Sequence, residues 1–264
     1  MTTQASPAPP GLRVQTFGTF RIWRDGQEIE PAAWSREKSL HLFQFLITMR
    51  RQAPHLHKEQ IIDRLWPELS PDEGDRDFKV ALHTLNKVLE PQRKARAAPR
   101  FIIRFDLTYG LNLSEMRIDA DEFERLLAAG TEALPTNPAR AADLFKQAIA
   151  LYHGDYLPER RFEDWCSSER ERLQVLALGL MTTLADMLLA DNPLESIRLT
   201  QHVLTIDPVW ENAYRTQMRA YHRQGNRPMA IKTYQRCVTT LDEELGIPPL
   251  PETEALYRQI VTTP

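Results

Sequence analysis

Cysteine, long apolar runs and catalytic signatures are what this chain has least of, and each shortage removes a class of function. Its two cysteines, Cys166 and Cys237, stand far apart and outside any CxxC or Cys/His cluster, so neither a disulfide framework nor a zinc knuckle is expected. That usage points to a reducing cytosol. No stretch reaches the roughly 18 uninterrupted apolar residues that suggest a membrane helix. Residues 1–10, MTTQASPAPP, lack the charged and apolar regions of a signal peptide and read as a short disordered leader. No GxxxxGKS or GxxxxGKT, no HExxH and no GxSxG occurs, which excludes a phosphate loop, a helical zinc-protease site and a nucleophile elbow. His55 and His57, near Glu59, come without further ligands and read as surface residues. No catalytic residue, metal or cofactor is expected.

Net charge is also small, at −3, but it is unevenly spread. Residues 1–110 carry 17 basic and 13 acidic side chains, whereas residues 111–264 carry 16 and 23. The first part has the electrostatics of a weak polyanion binder; the second would be repelled by nucleic acid.

LRVQTFGTFRIWRDGQEIE (12–30) is rich in β-branched and aromatic residues around Asp25-Gly26, a strong hairpin signal. SREKSLHLFQFLIT follows, with Ser35 as an N-cap and Leu40, Phe43, Leu46 and Ile47 at helical spacing. HKEQIIDRLWPEL repeats that pattern through Ile61, Ile62, Leu65 and Trp66, stopping before Pro67. An acidic loop, SPDEGD, with Ser70 as cap and Pro71 at a first-turn position, then leads into RDFKVALHTLNKVLEP (76–91). At 100° per residue, Phe78, Ala81, Leu82, Leu85, Val88 and Leu89 share one face of this third helix. Arg76, Lys79, His83, Asn86 and Lys87 gather on the other, a donor-rich stripe without acids. PQRKARAAPR and then FIIRFDLTYGLNL, two β-type runs around a turn, complete the segment. Sheet, three helices and terminal hairpin is the order of a winged helix, whose third helix enters the major groove while the hairpin lies along the neighbouring backbone.

From residue 119 onward β-type signals vanish, and helices are expected near 119–129, 138–152, 162–190, 193–205, 209–224, 227–244 and 252–261. Asn192 and Asn226, Ile197 and Ile231, and Val203 and Cys237 all lie 34 apart, the tetratricopeptide period. Trp165, Trp210, Tyr214, Tyr221 and Tyr234 read as core of that array. Glu163, Asp164, Glu169 and Glu171 read as solvated or dimer-rim charges. The expected fold is mainly α: an N-terminal winged helix-turn-helix of α+β type over 11–113, then an all-α tetratricopeptide-like repeat domain over 114–264.

ALHTLNKVLEP in the third helix, FEDWCSSERERLQ at 162–174 and AYRTQMRAYHRQGNRPMAIKTYQRCVTTLDEELGIPPLPETEALYRQI at 213–260 resemble the Streptomyces antibiotic regulatory proteins. In that family an OmpR-type winged helix is followed by a bacterial transcriptional activation domain of tetratricopeptide-like helices. The resemblance implies a cytoplasmic transcription activator that binds direct-repeat DNA as a side-by-side homodimer and recruits RNA polymerase through its σ and α subunits. It also implies a polymerase contact in the loop before the recognition helix, here Pro67 to Asp75, with Glu68, Asp72 and Glu73 as candidates. The family commonly has arginine where this chain has Asn86, and a wing cation where it has Gly110, which implies lower affinity or a different operator.

Lysine can engage the guanine acceptors in the major groove, and asparagine can pair with adenine, so Lys79 and Asn86 are the leading base readers. Arg76, His83, Thr84 and Lys87 complete the base-contact candidates. Arg93, Lys94, Arg96, Arg100 and Arg104 flank or enter the hairpin, where phosphate contact or minor-groove insertion needs cations. Two functions stay open. One is a sequence-specific regulator that binds double-stranded DNA, with a helical domain that dimerises and answers to a regulatory protein or small ligand. The other is a protein-interaction scaffold whose winged helix no longer binds DNA. Neither involves a membrane.

Overall fold

The computed structural model describes residues 11–262; the expected leader lies outside them. Three short strands open the chain, β1 (Leu12–Gln15), β2 (Arg21–Arg24) and β3 (Gln27–Glu28). β1 and β2 are antiparallel with Val14 opposite Ile22, and this pair is buried while Arg13 and Arg21 point to solvent, the period of two of a half-buried strand. The β2–β3 hairpin turns on Asp25 and Gly26, at φ 48° and 84°, the left-handed pair a two-residue hairpin favours.

Helix α1 (Glu37–Met49) is capped at Arg36, one residue beyond the expected Ser35, and is buried continuously from His41 to Arg50. β4 (Leu56–His57) leads into α2 (Lys58–Leu65), where His57 and Gln60 form a capping box, so this histidine has a structural task. Helix α3 (Pro71–Leu89) starts well before residue 76: Ser70 and Glu73 form its capping box and Pro71 occupies its first turn. The acidic stretch expected as a loop is therefore the beginning of α3, where carboxylates complement the helix dipole. β5 (Ile102–Phe105) and β6 (Thr108–Leu111) form the wing, and β4 joins them in the order β4-β6-β5. β7 (Met116–Ile118) pairs parallel with β1 and completes a second sheet, β3-β2-β1-β7.

The chain divides into two compact units, and the first does not end at residue 113. Of the described residues it takes 11–122 together with Leu151–Leu173; the second takes Phe123–Ala150 and 174–262. Two features of α1 explain the extension. Residues 151–173 cover its otherwise open side: buried Tyr156 places Oη 3.0 Å from Thr48 Oγ1, and Gln44 bonds both Glu159 and Arg160 at 2.7 Å. At its end, buried Arg50 is held bidentately by Asp121 at 3.0 and 2.6 Å. Arg170 fastens the returning segment by donating to the carbonyls of Tyr156, Leu157 and Arg160.

The remaining elements are helical: α4 (Asp119–Ala133), α5 (Pro138–Ile149), α6 (Asp164–Leu188), α7 (Pro193–Ile206), α8 (Glu211–Arg223), α9 (Arg227–Leu245) and α10 (Pro251–Thr262). The 34-residue period is visible in their caps. Asn192 and Asn226 start α7 and α9, each accepting from the backbone N–H three residues on, at 3.1 and 3.3 Å. Asn137 does the same for α5 at 3.0 Å. Helices α7 to α10 pack in succession around Tyr214, Cys237 and Leu241, then Met218, Ala230 and Ile260. Tyr214 is buried, whereas Trp165, Trp210, Tyr221 and Tyr234 are half-buried. Glu169 departs from expectation: it is buried and paired with Arg172 at 2.9 Å instead of solvated. No described helix is long and apolar enough to cross a membrane. The fold is mainly α, a winged helix-turn-helix followed by tetratricopeptide-like helices.

Candidate nucleic-acid interface

Four of the expected donors share one exposed side of α3. The side chains of Arg76 and Lys79 are 69% and 70% exposed, and His83 and Lys87 are exposed at the following turns. Asn86 does not belong with them. It is 6% exposed, its Nδ2 donates to the Leu82 carbonyl at 2.9 Å, and its Oδ1 is buried without a protein partner. Its angular position lies at the border of the two faces, and the wing covers that border: Tyr109 packs edge-on against Phe78 with ring centroids 4.9 Å apart. Thr84 is half-buried.

The stripe is also less purely cationic than residues 76–91 suggest. Because α3 begins at Pro71, Asp75 lies one turn before Lys79, and their charged atoms are 2.5 Å apart. Lys58, at the start of α2, reaches the same carboxylate at 2.6 Å. Hydrogen bonds from Lys58 and then Lys79 hold the Asp75 carboxyl below the usual carboxylate range. Asp77 is lowered likewise by Lys38 of α1, 2.6 Å away.

Between α3 and the wing lies a cleft of about 230 Å³, lined by Lys58, Lys79, His83, Arg93 and Arg104, with Asp75 as its acid and Asn86 in its wall. The wing cations divide by their partners. Arg104 lies 5.7 Å over the Tyr109 ring and donates to the Asp106 carbonyl. Lys94 and Arg96 are exposed. Arg100 is tied to Glu115 at 3.0 and 2.5 Å, and Arg93 is largely covered, with Nη1 buried beside Glu90. Those two are braces of the loop before the wing. Gly110 is no vacant cation position: a Cβ there would fall 2.1 Å from the Pro54 carbonyl oxygen.

Of the three polymerase-contact candidates, only Glu68 lies in the turn before α3; Asp72 is exposed in the first helical turn. Glu73 accepts from Ser70 Oγ at 2.6 Å and from its N–H at 3.1 Å, so its carboxylate is used by the cap. Three residues of the region were not singled out from sequence. Lys58 carries no motif, Arg24 of β2 donates to the Val88 carbonyl at 2.9 Å, and Phe105 stands 78% exposed at the wing tip. Phe105 is the one with a readable signal, an aromatic beside the turn in FIIRFDLTYG.

Comparison with known proteins agrees with this architecture. The sequence profile of the bacterial transcriptional activator domain matches residues 118–261. Regulatory protein AfsR of Streptomyces coelicolor is 26% identical over 251 residues, 95% of this chain and 24% of that protein. The transcriptional regulator RedD of the same species is 24% identical over 190 residues, 72% of this chain and 54% of that protein. The structure of Mycobacterium tuberculosis EmbR in complex with a low-affinity phosphopeptide has the same fold, with a TM-score of 0.80 at 21% identity over 95% of this chain and 65% of that chain. This chain thus spans about a quarter to just under two thirds of the proteins it matches. With a winged helix ahead of tetratricopeptide-like helices, and transcriptional regulators as its relatives, the chain belongs to the bacterial transcriptional activator domain family, in the arrangement of the Streptomyces antibiotic regulatory proteins.

Proposed function

We propose that this chain is a sequence-specific DNA-binding transcription regulator of the activating kind. The reading rests on Arg76, Lys79, His83 and Lys87, exposed along one side of α3, and on the cleft that continues from Lys79 and His83 to Arg104 of the wing. The stripe meets base edges in the major groove, with Lys79 as the guanine reader, while Lys94, Arg96 and Arg104 take backbone phosphates. Asn86 shapes the cleft wall and reads nothing. The functional division runs as the sequence suggests, with the winged helix holding a duplex and the helical array acting as dimerisation and signal-receiving surface. Its ligand is a regulatory protein or small molecule. Glu68 and Asp72, exposed next to the start of α3, face the σ and α subunits of RNA polymerase.

A scaffold with a silent winged helix is the rival, and the Asp75–Lys79 pair favours it by cancelling one of the stripe's charges. Fluorescence anisotropy with a labelled duplex from upstream of the chain's own gene, between 50 and 200 mM salt, separates the two. If about four to six phosphates are neutralised, log K falls with log salt at a slope of about −4 to −5. Flat salt dependence, or equal weak binding to every sequence, returns the scaffold.

A further inference from the structure

We infer that Phe105 is an apolar wedge that the wing presses into the minor groove of a bound duplex, partly unstacking one base step. The inference deepens the DNA-binding reading above and depends on it. Phe105 is 78% exposed and Ile103, on the same side of β5, 38%. The hairpin does not lack a core to receive them: Ile102, Tyr109 and Leu111 fill its inner side. Register decides which residue projects. Arg104 lies opposite Tyr109 and Ile102 opposite Leu111, so Arg104 shares the inner side, lies over the Tyr109 ring and lines the cleft. Phe105, opposite Thr108, is left at the free end on the outer side. The residue presented at the tip for groove insertion is therefore the aromatic one.

The tip is braced. The Lys58 N–H donates to the Leu107 carbonyl at 2.9 Å, Thr108 Oγ1 donates to the Phe105 carbonyl at 2.7 Å, and β4 pairs with β6 through Leu56–Tyr109 and His57–Thr108. These bonds hold the backbone of the tip, and Phe105 stands outward from it. Asp106, the one acid there, has φ 52°, a left-handed turn position that aspartate tolerates.

A duplex fits this surface better than a second copy does. Arg104 and Leu107 of the wing line the same cleft as Lys79 and His83 of α3, so a duplex lying on the α3 stripe meets the wing along its next groove. Apolar side chains beside cations are the device by which proteins open a minor-groove step and bend DNA. A stable protein interface needs roughly 800 Å² per partner, which Ile103, Phe105 and Leu107 cannot supply.

The test uses the full chain and the best-bound duplex selected from a random-sequence pool. That duplex carries 2-aminopurine at successive positions, and donor and acceptor dyes at its ends. The wild-type chain should brighten 2-aminopurine at one step beside the α3 site and bring the ends closer. Phe105→Ala should abolish both signals and weaken binding roughly tenfold, with unchanged sequence preference and unchanged melting temperature. Phe105→Leu should restore part of each signal. Phe105→Ala that keeps the brightening and the bend overturns the inference while leaving DNA binding intact. A changed sedimentation mass of the free Phe105→Ala chain also overturns it, assigning the tip to a contact between copies. A wild-type chain that prefers no duplex overturns the DNA-binding reading and the wedge with it.

Discussion

Asn86 Nδ2 donates to the Leu82 carbonyl at 2.9 Å, one turn back on the same helix, so an amide that charge patterning assigns to DNA is held against α3 itself. Asn86→Ala should therefore leave the ranking of duplex sequences unchanged. Competition binding checks this; a lost sequence preference in a variant whose urea stability is unchanged would return Asn86 to the readers.

Asp75 is the natural brake on the stripe, bridging Lys58 and Lys79 at 2.6 and 2.5 Å. Asp75→Asn should tighten duplex binding several-fold and steepen the salt slope by about 1, as one more cation becomes available to phosphate. Since its carboxyl is held below the usual range, the wild-type pair stays ionised across the neutral and mildly acid range. Wild-type affinity should therefore show no change between pH 8 and 6 that Asp75→Asn removes.

The segment 151–173 should be indispensable to the winged helix. A fragment ending at residue 113 loses β7, exposes the buried, largely apolar side of α1 and removes the Asp121 partner of Arg50. Such a fragment should show no cooperative thermal transition by circular dichroism. In the full chain, Tyr156→Ala should cost about 3–5 kcal/mol, and Tyr156→Phe about 1 kcal/mol for the lost hydrogen bond to Thr48.

His41 should make the same contact sensitive to pH. Burial, and then Arg160, hold its imidazole below the ordinary value, against the pull of Glu163 and Glu37. A depressed folded-state value means that the unfolded chain binds the proton first. Stability is thus complete above the unfolded value near 6.5 and declines as pH falls below it, by at most about 1.4 kcal/mol per pH unit. Melting temperatures at pH 7.5 and 5.5 should differ less in His41→Gln than in the wild type; an equal difference would remove His41 as the cause.

Local signals carried most of the architecture. Asp25-Gly26, the Ser70 cap followed by Pro71 and the asparagines 34 apart are signals carried by the residues themselves, and they hold. Contacts distant in sequence were harder to see. β7 is three residues long and gains meaning only beside β1, about a hundred positions away. The covering of α1 by 151–173 had a trace in LHLFQFLITM, which is too apolar for a helix with a solvent face. Within the candidate site, the exposed cations follow from helical spacing. Asn86 and Gly110 were misleading because both positions face neighbours that only tertiary structure supplies, the wing against α3 and Pro54 against β6.

The ratio of affinities for a selected duplex and a scrambled one, measured for the wild type and for Lys79→Ala/His83→Ala, tests the α3 stripe most directly. Specific binding typically exceeds non-specific binding by about a thousandfold or more, and the double variant should bring the ratio close to one while its melting temperature stays put. A double variant that keeps the wild-type ratio would contradict the assignment of this face to base reading.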